Sequence, residues 1–88
     1  MFEVRDAVLQ LTAARDLVAA SRARLALAEA EVAQARDRFQ AGVAGNIDVV
    51  IASIRLGEAR AADVDARAAY QAARVALAAA EGDMEGLR

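Results

Sequence analysis

Eighty-eight residues suffice for one small domain or for one element of a larger assembly; 58% are apolar by an inclusive count, yet only Phe2, Phe39 and Tyr70 are aromatic. The net charge of −2 arises from eleven arginines, no lysines and thirteen acids interleaved along the chain, which excludes the basic stripe that nucleic acid requires. With no cysteine and no histidine, disulfides, thiolate chemistry, the commonest metal ligand and the commonest general base are excluded as well.

Much of the apolar content is alanine. A globular core at native density needs larger side chains, whereas close helix–helix packing suits small ones. No proline interrupts the chain, so nothing forbids long helices. The N-terminal run "MFEVRDAVLQL" carries acids where a secretory signal would be apolar. No uncharged apolar stretch approaches the roughly 18–20 residues needed to cross a bilayer. The expectation is a chain with neither signal peptide nor membrane span.

The first predicted element is a long helix over residues 2–40. Val4, Leu11, Val18, Leu25, Val32 and Phe39 recur at strict seven-residue intervals. Three residues after each comes a small one: Ala7, Ala14, Ser21, Ala28, Ala35 and Gly42. Large beside small along one seam lets two helix backbones approach closely in a left-handed supercoil. Arg15, Arg22 and Arg36 share a further heptad row with Val8 and Glu29 and read as a solvated flank.

Residues 41–46 are the predicted turn. Gly42 can adopt the left-handed conformation that closes a helix. Asn46 reads as the N-cap of the next helix, with Asp48 in its first turn, where the helix dipole favours an anion. So short a connection makes the helices antiparallel. Each arm is about 36–38 residues, or roughly 55 Å.

The second helix, residues 47–82, repeats the design. Val49, Leu56, Tyr70 and Leu77 share one heptad row, interrupted by Asp63, and Ala52, Ala59, Ala66, Ala73 and Ala80 form the row three residues further on. The expected packing seam is therefore Val4, Leu11, Val18, Leu25 and Val32 with Ala52, Ala59, Ala66 and Ala73. Asp63 either reaches solvent at a wide seam, paired with Arg67 at i+4, or lines a water-filled duct. Tyr70 fills the seam with its hydroxyl toward water. Ile47, Ile54 and Val75 form another apolar row with Ala61 and Ala68, so the helix expects more than one partner. A hairpin with that row bare should associate with other copies of itself, most simply as a four-helix dimer. Gly82 is the expected end of the helix, with residues 83–88 a frayed tail. The fold class is thus all-α, an antiparallel two-helix coiled-coil hairpin associating into a bundle.

No nucleophile with a base, phosphate loop or ligand cluster is present, and Asp63 and Asp65, two apart on a helix, do not face each other. The chain reads as no enzyme and as binding no cofactor or metal. A plain helix-breaking loop explains the glycines of the turn but not an exposed Val43, nor the Arg38, Phe39 and Asp48 around it.

That surplus resembles a family. Arg38-Phe39, Gly42, Asp48-Val49 and Ala52 in "RFQAGVAGNIDVVIASIRLGEAR" look like the periplasmic helical hairpin of TolC-type outer membrane efflux proteins, and the resemblance runs from about Val4 to Gly82. Tyr70, Leu77 and Ala80-Glu81-Gly82 look more like the second of that family's two internal repeats. The resemblance implies a trimeric duct with a β-barrel in the outer membrane and a tube of coiled-coil hairpins in the periplasm. Their turns close the exit at rest and meet a periplasmic adaptor (membrane fusion) protein. On this basis Phe39, Gly42, Val43 and Asn46 would form the tip that the adaptor reads, and Arg38 and Asp48 would make charged links between hairpins at the aperture. Full members carry two repeats, strands and a signal; this chain looks like one hairpin of that design, unable to form a pore alone. Two other readings remain: a generic antiparallel coiled-coil dimerisation module, and the adaptor's own hairpin. The Arg-Leu-Ser turn that marks the adaptor is absent.

Overall fold

A computed structural model describes residues 4–86 of the chain, with side-chain environments for residues 4–82. Two helices, α1 (Val4–Gln40) and α2 (Asn46–Gly86), form an antiparallel coiled-coil hairpin. The rod measures 71 × 14 × 14 Å. Among the described residues there is no strand, and no helix is long and apolar enough to cross a membrane.

The seam is centred on the small residues. Ala7, Ala14, Ser21 and Ala28 of α1 are buried, as are Ala52, Ala59, Ala66, Ala73 and Ala80 of α2. The large row flanks this line: Val4, Leu11, Val18 and Leu25 are half-buried, as are Val49, Leu56, Tyr70 and Leu77. Only Val32 and Asp63 of the two large rows are fully covered. A row of methyl groups at the centre lets the two backbones come close, and the larger side chains then lie over the joint. Among the described residues no large side chain is completely buried, so the apolar gain per residue is small and is accumulated over length.

The ends differ in detail from expectation. Asn46 is the first residue inside α2, and its side chain makes no hydrogen bond among those of the described residues. Gly45 takes the cap position instead, its carbonyl accepting the Asp48 N–H at 3.2 Å. At the other end α2 continues through Gly82 to Gly86. A glycine inside a helix costs only about 1 kcal/mol relative to alanine, and Gly82 lacks the positive φ of a cap. Phe2, Leu87 and Arg88 lie outside the described residues.

The accessible surface is 6448 Å², against roughly 4,900 Å² for a compact globule of this mass. Large apolar side chains contribute to it: Ile47, Ile54, Val64 and Val75 of α2 and Leu9 and Leu27 of α1 are each more than half exposed.

Because Ala66 is 1% exposed at the centre of the seam, Ala66→Leu should force the backbones apart and cost about 1–3 kcal/mol. Exchanging half-buried Leu25 for isoleucine should cost less. Thermal unfolding followed by circular dichroism at fixed concentration measures both. An unchanged midpoint for Ala66→Leu would show that the alanine row does not set the helix separation.

Candidate functional site at the hairpin turn

The turn is built from backbone hydrogen bonds. Gly42 has φ +75°, the left-handed conformation that a Cβ disfavours. Its N–H donates to the Phe39 carbonyl at 3.0 Å, and the next N–H, of Val43, donates to the Arg38 carbonyl at 2.9 Å. These two bonds define a Schellman motif with glycine at its required position. The Ala44 N–H also donates to the Arg38 carbonyl, at 3.3 Å, so one oxygen gathers the chain as it reverses. The sequence pointed to Gly42; the part played by the Arg38 main chain has no signal in side-chain pattern.

With the Asp37, Arg38 and Phe39 carbonyls occupied, the side chains of the turn project outward. Val43 is 78% exposed and Phe39 47%; Gly42, Asn46, Arg38 and Asp48 are exposed as well. Space beside Gly42 is open for at least 4 Å around a notional Cβ, so its constraint is conformational rather than steric. Phe39, Gly42, Val43 and Asn46 thus share the blunt end of a long rod.

Arg38 and Asp48 line one side of that end, in an open cleft of about 340 Å³ with Glu31, Gln34 and Arg55. The cleft carries two charges of each sign, yet Arg38 and Asp48 do not come within ion-pair distance of each other; the one ion pair among the described residues is Arg67–Asp63. Both guanidinium and carboxylate remain open to a neighbouring molecule. Glu31, Gln34 and Arg55 were not singled out from the sequence, where their helix positions read simply as surface.

A second polar cluster lies mid-rod. Ser21 is the one hydroxyl in α1's small row, and Asp63 the one charge in α2's large row; the hairpin brings these two exceptions together. The Ser21 hydroxyl lies 3.2 Å from Asp63 Oδ1 and 3.0 Å from the Val18 carbonyl oxygen, so its single proton is shared between two acceptors. Arg67 Nε donates to Asp63 Oδ2 at 3.0 Å. The expected Arg67 partnership is present, but Asp63 is turned into the seam, only 6% exposed, rather than out to solvent or into a duct. Among the described residues no buried side-chain polar atom lacks a partner. Tyr70 is half-buried nearby, its ring 5.9 Å from the Arg74 guanidinium carbon. No group of carboxylates is placed to hold a metal among the described residues.

An unbranched helical rod with an exposed, glycine-capped tip is the form of an interaction or duct element rather than of a catalyst. Comparison with known proteins gives the class: the family model for outer membrane efflux proteins matches residues 2–83. The chain belongs to the outer membrane efflux protein family, whose members are channels and not enzymes. No curated protein and no solved structure matched.

The Ser21–Asp63 contact generates a stability test. Ser21→Ala leaves Asp63 Oδ1 without its donor and should cost about 1 kcal/mol. Replacing both exceptions, as Ser21→Ala with Asp63→Leu, removes the need for the bond and restores both heptad rows. Buried polar pairs exchanged for apolar ones are often neutral or stabilising, so the double variant should melt no lower than the parent. Thermal melts of the three proteins decide. A double variant less stable than Ser21→Ala would show that the polar pair itself stabilises the hairpin.

Proposed function

We propose that this hairpin is a periplasmic wall element of a trimeric outer membrane efflux duct, and that its turn docks the periplasmic adaptor and helps gate the exit. The observation that carries the reading is the tip. A family member presents, at the end of a 71 Å rod, a left-handed glycine beside a valine 78% exposed. A fold that buried its apolar groups for stability alone has no use for that valine. Tip contacts are small, so a few exposed residues must supply most of the binding energy, and Phe39, Gly42, Val43 and Asn46 are the residues available.

Arg38 and Asp48 support the gating part. Each is exposed and neither is satisfied by the other, so a neighbouring hairpin can supply the partner. An exposed ion pair contributes only about 0–1 kcal/mol. Threefold repetition of such links would hold an aperture closed while leaving it easy to open. The exposed apolar stripe on α2 supplies the side-to-side contact that a wall of hairpins needs.

The test is an efflux assay in cells lacking the native protein, complemented with the efflux protein that carries this hairpin. Gly42→Trp strains the left-handed cap and crowds the tip; it should abolish drug resistance while the trimer still assembles. Asp48→Ala should leave export intact and raise passive leakage. Normal export by Gly42→Trp would remove the tip from the docking surface and favour a generic coiled-coil module.

A further inference from the structure

α2 carries two faces on which it could pair with α1. The face turned inward combines the alanine row with the large row of Val49, Leu56, Asp63, Tyr70 and Leu77. Positions two apart lie on roughly opposite sides of a helix, and the opposite side repeats the same spacing. Ile47, Ile54 and Val75 stand on one of its rows, Val50, Gly57 and Val64 on the next. From Ile47 to Ala78 neither row contains a charge, and every position on them is exposed. The hairpin thus buries the face that holds a carboxylate and leaves the charge-free face outside. Asp63 is 6% exposed, whereas Ile54 is 57% and Val75 69% exposed.

Two features of the inward face act against each other. Its unbroken alanine row favours pairing, because it admits close approach of the backbones. Asp63 opposes pairing, because a carboxylate loses water at the seam and is stabilised there only if donors replace it. Arg67 does not decide between the faces: it lies one turn along the same helix, its side chain 58% exposed, and it turns with Asp63. The donor that α1 supplies is Ser21, at 3.2 Å. Counting from that bond, Ala7, Ala14 and Ala28 stand level with Leu77, Tyr70 and Leu56, small against large in each layer. Ser21 is the one polar residue on the two seam rows of α1, so a displacement by one heptad would set Asp63 against Ala14 or Ala28 with no donor. With α2 turned the other way Asp63 is in water, and the Ser21 hydroxyl keeps the Val18 carbonyl at 3.0 Å. The Ser21–Asp63 bond is therefore made at one level and on one face only.

We propose that Ser21 selects the face of α2 that pairs with α1, and in doing so keeps the charge-free face outward. Without its hydroxyl the cost of burying Asp63 is no longer offset, and the balance moves toward the face that carries Ile54 and Val64. Ser21 is a positioning residue: it acts through Asp63 on the rotation of a whole helix, and so on which side chains the rod presents. The selection operates within one hairpin, so it stands or falls independently of adaptor docking and gating.

Single cysteines placed in a chain that has none of its own test it, through rates of thiol labelling by a maleimide, with helicity checked by circular dichroism. Ala59→Cys reports the inward face of α2 and Ala28→Cys the seam of α1; the two positions are 1% and 6% exposed. α1 pairs through Ala28 whichever face of α2 it meets, whereas position 59 is uncovered when α2 turns. Ser21→Ala should raise the labelling rate of Ala59→Cys about fivefold, the effect of losing one hydrogen bond, and leave that of Ala28→Cys unchanged. Adding Asp63→Leu removes the charge from the seam and should restore slow labelling of Ala59→Cys. Unaltered labelling of Ala59→Cys in the Ser21→Ala background would overturn the proposal. So would equal acceleration at both positions, which marks a general loosening of the rod, or fast labelling that persists after Asp63→Leu.

Discussion

Everything in this hairpin depends on how closely two helix backbones can approach. The alanine rows set that distance, because a methyl group at the centre of the seam leaves little to hold the helices apart. Once the approach is fixed, larger residues cannot lie between the helices and are displaced to the flanks, where Leu11, Val18, Leu56 and Tyr70 are only half covered. The same constraint accounts for the absence, among the described residues, of any completely buried large side chain. It also explains why the rod needs length. Each layer contributes a small apolar gain, and many layers must be summed against the conformational entropy of ordering the chain.

A rod of this kind has two kinds of unfinished surface, and both bear on function. Its end exposes a turn whose backbone closes α1, with Val43 and Phe39 facing outward. Its sides expose the apolar stripe of α2. In a chain of the outer membrane efflux protein family, these are the surfaces on which the proposed duct and docking roles rest.

The Ser21–Asp63 contact is the one place where the seam departs from its own rule. A leucine at position 63 and an alanine at position 21 would continue both rows. The polar pair instead levels the two helices at mid-rod, and Arg67 closes the remaining valence of the carboxylate from the solvent side. α2 offers more than one apolar row, so a contact that is satisfied in only one rotational setting distinguishes the seam from the stripe.

The heptad rows, the break at Gly42 and the brevity of the turn are local properties, and local sequence determined them: two long helices, an antiparallel return, and a glycine whose left-handed backbone closes the first arm. The residues of the tip were legible for the same reason, since a two-helix rod has only one short connection. The true cap of α2, its run past Gly82 and the main-chain role of Arg38 were not, because backbone hydrogen bonds carry no side-chain signature. Nor did the sequence decide where Asp63 would point. Its charge reads as surface until Ser21, 42 residues away, supplies a donor across the seam. Pairing likewise brings Arg36 of α1 and Arg60 of α2 to one groove with Val32 and Leu56, where each row alone reads as a solvated flank.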